Sequence, residues 1–386
     1  MNSQQQSTTP HHEGILKRLW HLKRTKVLMV TLVLLGTLIA LGWSKESAEW
    51  YATTIYPWLS SAVALIPSFL PFSLAEVMVV VGVIGLILFM VVSIYGIVHT
   101  HDERGFRTAK LVLNLVCIAS VVLLLFMLLA GVNYHRKEFS ELSGLNIAET
   151  GATYHADELK DLGMFLVDEM AQDREALGDD RDIYHASPET FAHYANESAS
   201  LMNELQNSYP VFQRPLYSAP KPVIASKALC YANIAGLFFP FTVESNINIE
   251  DPFFTQPFIM AHELAHQAGF MREDEANFIA FLACMESDDP LVRYSGAYQA
   301  FVRTYPILRR VDADVARELW SSLPDSVKED NTYYSNLLKQ YEGPVKEVST
   351  KINDTYLKAN SQHDGVAAYD RMVNLLLAWY AEQKKD

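Results

Sequence analysis

The sequence predicts a mainly α chain of the α+β type: three N-terminal transmembrane helices followed by a mostly helical domain with a small β-sheet. Three observations lead there. Stretches without a single charge run from Val27 to Leu41, from Val77 to Val98 and from Leu111 to Val132; with their flanks, each is long enough to cross the ~30 Å of a bilayer's hydrocarbon. Charge is unevenly placed. The 386 residues carry a formal charge of −14, yet residues 133–386 hold 22 Lys+Arg against 39 Asp+Glu and are near −17 by themselves. Within that acidic region apolar residues recur at helical spacing, and β-rich runs are few.

The chain therefore divides into a tail (1–26), a membrane region (27–132) and a domain (133–386) large enough for its own core. The first span, about 27–43, is followed by Gly42-Trp43-Ser44-Lys45, which offers no small-residue cleavage site, so it reads as an anchor and not as a removable signal. The other spans are placed at 75–98 and 111–132. Lys17, Arg18, Lys23, Arg24 and Lys26 precede the first span, and Arg104, Arg107 and Lys110 lie between the second and third, whereas 44–73 has only Lys45. The positive-inside rule puts the tail and the 99–110 loop in the cytoplasm. An odd number of spans then leaves the domain outside, on a multi-pass protein of the cell membrane; Arg136 and Lys137 run against this bias. Segment 50–72 is apolar enough for a fourth span, which would reverse the domain. Pro57, Pro67 and Pro71, with Trp50, Tyr51, Tyr56 and Trp58, favour an interfacial or re-entrant piece instead. The bilayer is an expected partner, while the acidity argues against nucleic acid and against docking on anionic lipid.

Inside the domain, helices are expected at Asp157–Leu177, at Ser187–Tyr209 with Ser187-Pro188 as cap and first turn, at Asp289–Leu308 and at Asp312–Ser322. One long run from Asp325 to about Lys358 and a last helix over Asp364–Gln383 follow. Strands are placed in Lys221–Ser226 and Leu229–Asn248. In the second, Pro240 suits an edge or a bulge. Glu244, Asn246 and Asn248 alternate as one polar face, either the lining of a substrate cleft or the solvated tips of a structural hairpin. Cys117 lies in the third span; Cys230 and Cys284 could pair outside the cell, but the apolar setting of Cys284 favours two buried thiols. His11, His12, His155, His185, His193 and His363 lack ligand-like spacing and are read as structural or exposed.

His262-Glu263-Leu264-Ala265-His266 is different. Residues four apart share a helix face, so two imidazoles can grip one small cation, and Glu263 can reach a water beside it. The flanks, Phe258-Ile259-Met260-Ala261 and Ala268-Gly269-Phe270, are apolar and small, so the helix is expected to be buried. Buried polar groups must be paired or bind a metal, and Zn2+ suits two imidazoles and a carboxylate. Gly269 marks the helix end and Glu273-Asp274-Glu275 the start of the next, so the hairpin can return a third ligand. The position for a third histidine in the metzincin pattern holds Arg272, a cation, which excludes that branch.

Glu273-Asp274-Glu275-Ala276-Asn277 resembles the E-x-x-A-D/N signature of gluzincin zinc peptidases. That resemblance implies Glu273 as third ligand and Asn277 as support for His262, with Glu275 as competitor, since residues two apart on a helix point about 200° apart. It further implies a zinc metalloendopeptidase in which Glu263 is the general base toward a peptide or protein substrate, with Tyr294 or Tyr298 as oxyanion donor. Together with Pro240–Asn248 (PFTVESNIN) and His262–Phe278 (HELAHQAGFMREDEANF), the chain resembles a bacterial multi-pass membrane-protein family of unknown function. A second reading stays open: an inactive peptidase-like sensor or scaffold with a structural zinc. An intact Glu263 counts against it, because a structural site has no use for a base.

Overall fold

The computed structural model describes residues 14–100, 102–145, 147, 154–178, 182–359 and 368–384; His11, His12, His363 and the expected helix start at Asp364 lie outside them. The chain forms two compact units, Met1–Ala40 with Met78–Leu128, and Leu41–Val77 with Leu129–Asp386.

In the first unit a short helix α1 (Ile15–Trp20) precedes α2 (Lys23–Leu41), and α5 (Leu74–Val98) and α6 (Arg104–Leu129) supply the rest. All three longer helices are long and apolar enough to cross a membrane. Their apolar side chains, Val81, Leu88 and Val92 of α5 among them, stay exposed on the protein, which is the expected state of residues that lipid covers. Polar contacts within this unit include Thr31 with Ser120 at 3.1 Å and Arg18 with Glu103 at 2.7 Å. The protein is therefore a membrane protein. Both α2 and α6 start at basic residues outside the uncharged stretches, and residues 131–135 leave the last span as a 3₁₀ turn.

Between α2 and α5 lie α3 (Lys45–Thr54) and α4 (Tyr56–Ser68), where segment 50–72 was expected to be interfacial. At 13 residues α4 is too short to span. Its inward face is small and polar (Ser60, Ser61, Ala64) while Trp58, Leu65, Ile66 and Phe69 face out. Residues 41–77 belong to the second unit, so a domain boundary drawn at 133 leaves out part of that unit. Glu49 pairs with buried Arg136 at 2.8 Å, which explains the basic residue that opposed the charge bias.

The second unit continues with α7 (Phe139–Ser143), α8 (Ala156–Leu177), α9 (Pro188–Ser208), α10 (Ser226–Ala232), α11 (Gln256–Gln267), α12 (Glu273–Met285), α13 (Pro290–Val311), α14 (Ala313–Ser322), α15 (Asp325–Gln340), α16 (Pro344–Ala359) and α17 (Ala368–Gln383). Phe253, Phe254, Phe258, Phe270, Phe278, Phe281 and Tyr294 fill the core around α11, α12 and α13. The expected run from Asp325 to Lys358 is two helices, because Gly343-Pro344 cannot continue α15 and Pro344 opens α16. Three short strands, β1 (Lys221–Pro222), β2 (Gly236–Phe239) and β3 (Glu244–Ile247), pair in the order β1-β3-β2, β1 parallel and β2 antiparallel to β3. Much of the expected Leu229–Asn248 strand is thus not strand. Helix α10 occupies its start and ends on Asn233 in the left-handed conformation, φ 56°, which Asn tolerates. Pro240 sits in the β2–β3 turn, closed by Val243 donating to its carbonyl.

Candidate metal centre

Helix α11 starts with Pro257 in its first turn and is buried along nearly its whole length. His262 and His266, one turn apart, bring their ring centroids to 4.7 Å. The helix stops at Gly269, whose φ of 90° suits a residue without Cβ; Phe270 donates back to the Ala265 carbonyl. Extended Arg272 then caps α12, which makes Glu273 its first residue and turns its carboxylate toward the histidines. Glu273 Oε2 lies 3.3 Å from His262 Nε2 and Oε1 lies 3.8 Å from His266 Nε2. The three ligand-type atoms all fall within 4.8 Å of one another.

The electrostatics of the site follow from its burial. His266 Nδ1 contacts the Phe270 carbonyl at 2.7 Å; a carbonyl only accepts, so Nδ1 carries the proton and Nε2 turns a lone pair to the centre. Burial holds His266 down to about 4, with the neighbouring His262 adding to the effect. For His262 burial pulls the same way, but the hydrogen bond and charge of Glu273 outweigh it and raise the ring above its usual value. Burial would raise Glu273, yet the two histidines bring it down to about 2. Glu263 is pushed up to about 8 by burial, partly offset by His262.

Glu263 faces the sheet. The Phe238 peptide group acts on its carboxylate to lower its pKa slightly, and a Cβ on Gly236 would lie 2.5 Å from Oε1, so only glycine lets β2 come this close. Asn248 donates to the Ala235 carbonyl at 2.9 Å. In the antiparallel register Gly236↔Ile247 and Phe238↔Ser245, that bond makes 236 and 238 the residues whose peptide groups turn away from β3. β2 is therefore a free edge whose outward peptides border Glu263, and Leu237 on it is 46% exposed.

Of the two competing carboxylates, Glu273 joins the histidines. Glu275 accepts from the Phe139 N–H at 2.8 Å and lies beside Arg272, so it is not placed to be a ligand. Asn277 does not support His262: its Oδ1 accepts from Arg303 at 3.1 Å, because one turn along α12 the side chain meets α13. No described residue bonds His262 Nδ1. Glu244 and Asn246 sit buried on the central strand and line no open cleft, whereas Asn248, buried just past the end of that strand, borders a small cavity. Glu244 accepts from the N–H groups of Leu74 and Ala75, Asn246 from the Ser73 hydroxyl, and Asn248 bonds Ile234 and Cys230. In return Glu76 accepts from Ile224 and Ala225. The polar stripe thus ties the start of α5 to the sheet. Tyr294 and Tyr298 give their hydroxyls to Asp330 and Asn331 in the helical core, which leaves neither as an oxyanion donor. Cys230 and Cys284 are buried free thiols, and His155, His185 and His193 stand outside the cluster.

Four neighbours of the site carried no local signal in the sequence. Arg303 acts electrostatically on both His262 and Glu273. The Tyr134 and Tyr356 hydroxyls meet at 2.7 Å, and the charge of Glu273 reaches both phenols. Phe238 stacks obliquely toward His266 at 6.1 Å.

A helical membrane protein whose globular unit gathers two histidines and a glutamate around one point is the class that fold and site define. Residues 51–377 match the family described as protein of unknown function (DUF3810), and the chain belongs to it. No curated protein and no solved structure matches the chain.

Proposed function

We propose that this protein is a membrane-anchored zinc-dependent peptidase. The supporting observation is the convergence of His262 Nε2, His266 Nε2 and a Glu273 carboxylate oxygen within 4.8 Å, next to a buried Glu263 that borders a free strand edge. The donor set fits the ion: two imidazole nitrogens and one carboxylate are a common catalytic zinc set, and the His266 tautomer presents the nitrogen a metal needs. When bound, zinc supplies Lewis acidity, polarising a carbonyl and bringing the pKa of a water to about 7.

The chain's own groups do the rest. Glu263 takes the proton of the attacking water and hands it to the leaving amine. Burial, which raises its pKa, makes it a stronger base than an exposed glutamate. The outward peptide groups of Gly236 and the carbonyl of Phe238 hold an extended substrate along β2. The basic residues that precede the first uncharged stretch and those between α5 and α6 support a cytoplasmic position for those segments by the positive-inside rule, and with three spans this reading has the centre on the extracytoplasmic side.

The test uses the full chain in detergent, since residues 41–77 belong to the folded unit. Metal analysis is expected to find about one zinc per wild-type chain and almost none in His262→Ala. Glu263→Gln should keep the metal and lose about 10²–10⁴-fold in cleavage of a peptide library. Equal cleavage by both proteins, or cleavage by neither, would leave the scaffold reading standing.

A further inference from the structure

Beside the start of β2 lies a cavity of about 100 Å³, walled by Ile234, Asn248, Asp251, Tyr334, Leu337 and Tyr341 among others. Asp251 is its anomaly. It is 5% exposed, and no described residue donates a hydrogen bond to its carboxylate. The carboxamide beside it is already committed: Asn248 donates to Ile234 and Cys230 and accepts from the Glu250 N–H. No lining residue is cationic. A buried carboxylate is expensive unless a cation or donors meet it, and burial alone pushes Asp251 up to about 7.

The other walls describe what would meet it. Ile234, Leu337 and Leu338 offer an apolar sleeve, and Tyr334 and Tyr341 offer rings at the same cavity. An alkyl stem with a cationic tip matches that order of surfaces, because such chains lay methylenes on apolar walls and direct the charge to a carboxylate or a ring face. The position is also informative. Ile234 and Ala235 of the wall run directly into Gly236, where an added Cβ would collide with Glu263. Since a strand rises about 3.3 Å per residue, a peptide on the β2 edge over Glu263 has a side chain within one or two residues of the cavity. The surrounding region is near −17, a field that draws cationic peptides.

We propose that this cavity is a specificity pocket for a lysine side chain flanking the bond presented to Glu263, with Asp251 as its counter-charge. The cleavage part rests on the peptidase reading, whereas the binding part does not. The experiment therefore reads both separately. Three fluorescein-labelled decapeptides that differ only in a central lysine, Nε-acetyl-lysine or norleucine are titrated by anisotropy onto the full-length Glu263→Gln protein in detergent. The lysine peptide is expected to bind about thirtyfold more tightly than the other two, and adding Asp251→Asn should erase that preference. Asp251→Asn removes a buried charge at constant shape, so folding is not at risk. Leu337→Trp, which fills the cavity and leaves the charge in place, should also weaken the lysine peptide. Equal binding of the lysine and acetyl-lysine peptides, or a lysine preference that survives Asp251→Asn, would overturn the pocket. The same peptides are then offered to the wild-type enzyme. Lysine-dependent binding without cleavage would retain the pocket and discard the peptidase; cleavage with no preference beside lysine would do the reverse.

Discussion

Helices α5 and α11 are both rich in apolar residues, and they live in opposite surroundings. In α5 the one buried residue is Ala75, near its start, whereas in α11 all residues but His262 are buried. For α5 the apolar surface is unmatched by protein and calls for lipid. For α11 it is matched by Phe253, Phe278, Tyr294 and their neighbours, and the protein cover is what makes its polar residues consequential. In α5 the only charged side chain, Glu76, sits in the first turn and is bonded to Ile224 and Ala225. In α11 two histidines and a glutamate lie inside the core, where an unpaired polar group costs several kcal/mol. Similar composition thus carries a site in one place and an anchor in the other, and the difference lies in what packs outside the helix.

Substitutions at matched positions can break this contrast. Leu264→Ala on α11 removes a side chain with 0% exposure and is expected to cost about 2–5 kcal/mol. Leu86→Ala on α5, 48% exposed on the protein, should leave thermal unfolding in detergent almost unchanged; comparable losses from both would end the distinction. Asp251→Asn comes next. A carboxyl raised to about 7 from an unfolded value near 4 holds its proton longer in the folded state, so wild-type stability falls as pH rises through that window. The variant should match wild type near pH 4 and exceed it above pH 7, by on the order of 4 kcal/mol, in melts taken across that range. Leu86→Arg should be tolerated by the second unit yet hinder membrane insertion by about 2.5–3.5 kcal/mol, read as the inserted fraction in a translocation assay. The smallest effect belongs to Glu244→Gln, which weakens the cap on Leu74 and Ala75 by about 1 kcal/mol and should lower the melting point by a few degrees.

Several features could be read from the chain alone because they are local. An uncharged run longer than a bilayer is thick is visible as a run, and His262, Glu263 and His266 are visible because a helix turns every 3.6 residues. The breaks at Gly269 and at Ser187-Pro188 are equally local, set by what glycine, serine and proline allow their own backbones to do. Gly343-Pro344 carried the same kind of signal, and the split between α15 and α16 follows from it.

The remaining decisions required the folded chain. Glu273 and Glu275 are two residues apart, and their order of helical start does not say which returns to the histidines; Glu275 is taken by a peptide N–H at Phe139, 136 positions earlier. Glu244, Asn246 and Asn248 alternate like a cleft wall, but Ser73, Leu74 and Ala75, about 170 positions earlier in the same unit, bond two of them. Asn277 meets Arg303 instead of His262. In each case the partner comes from far along the chain, and a periodicity that spans one or two turns holds no record of what packs against it. The sequence determined which groups were available near the site; burial and long-range hydrogen bonds decided which of them were left to face it.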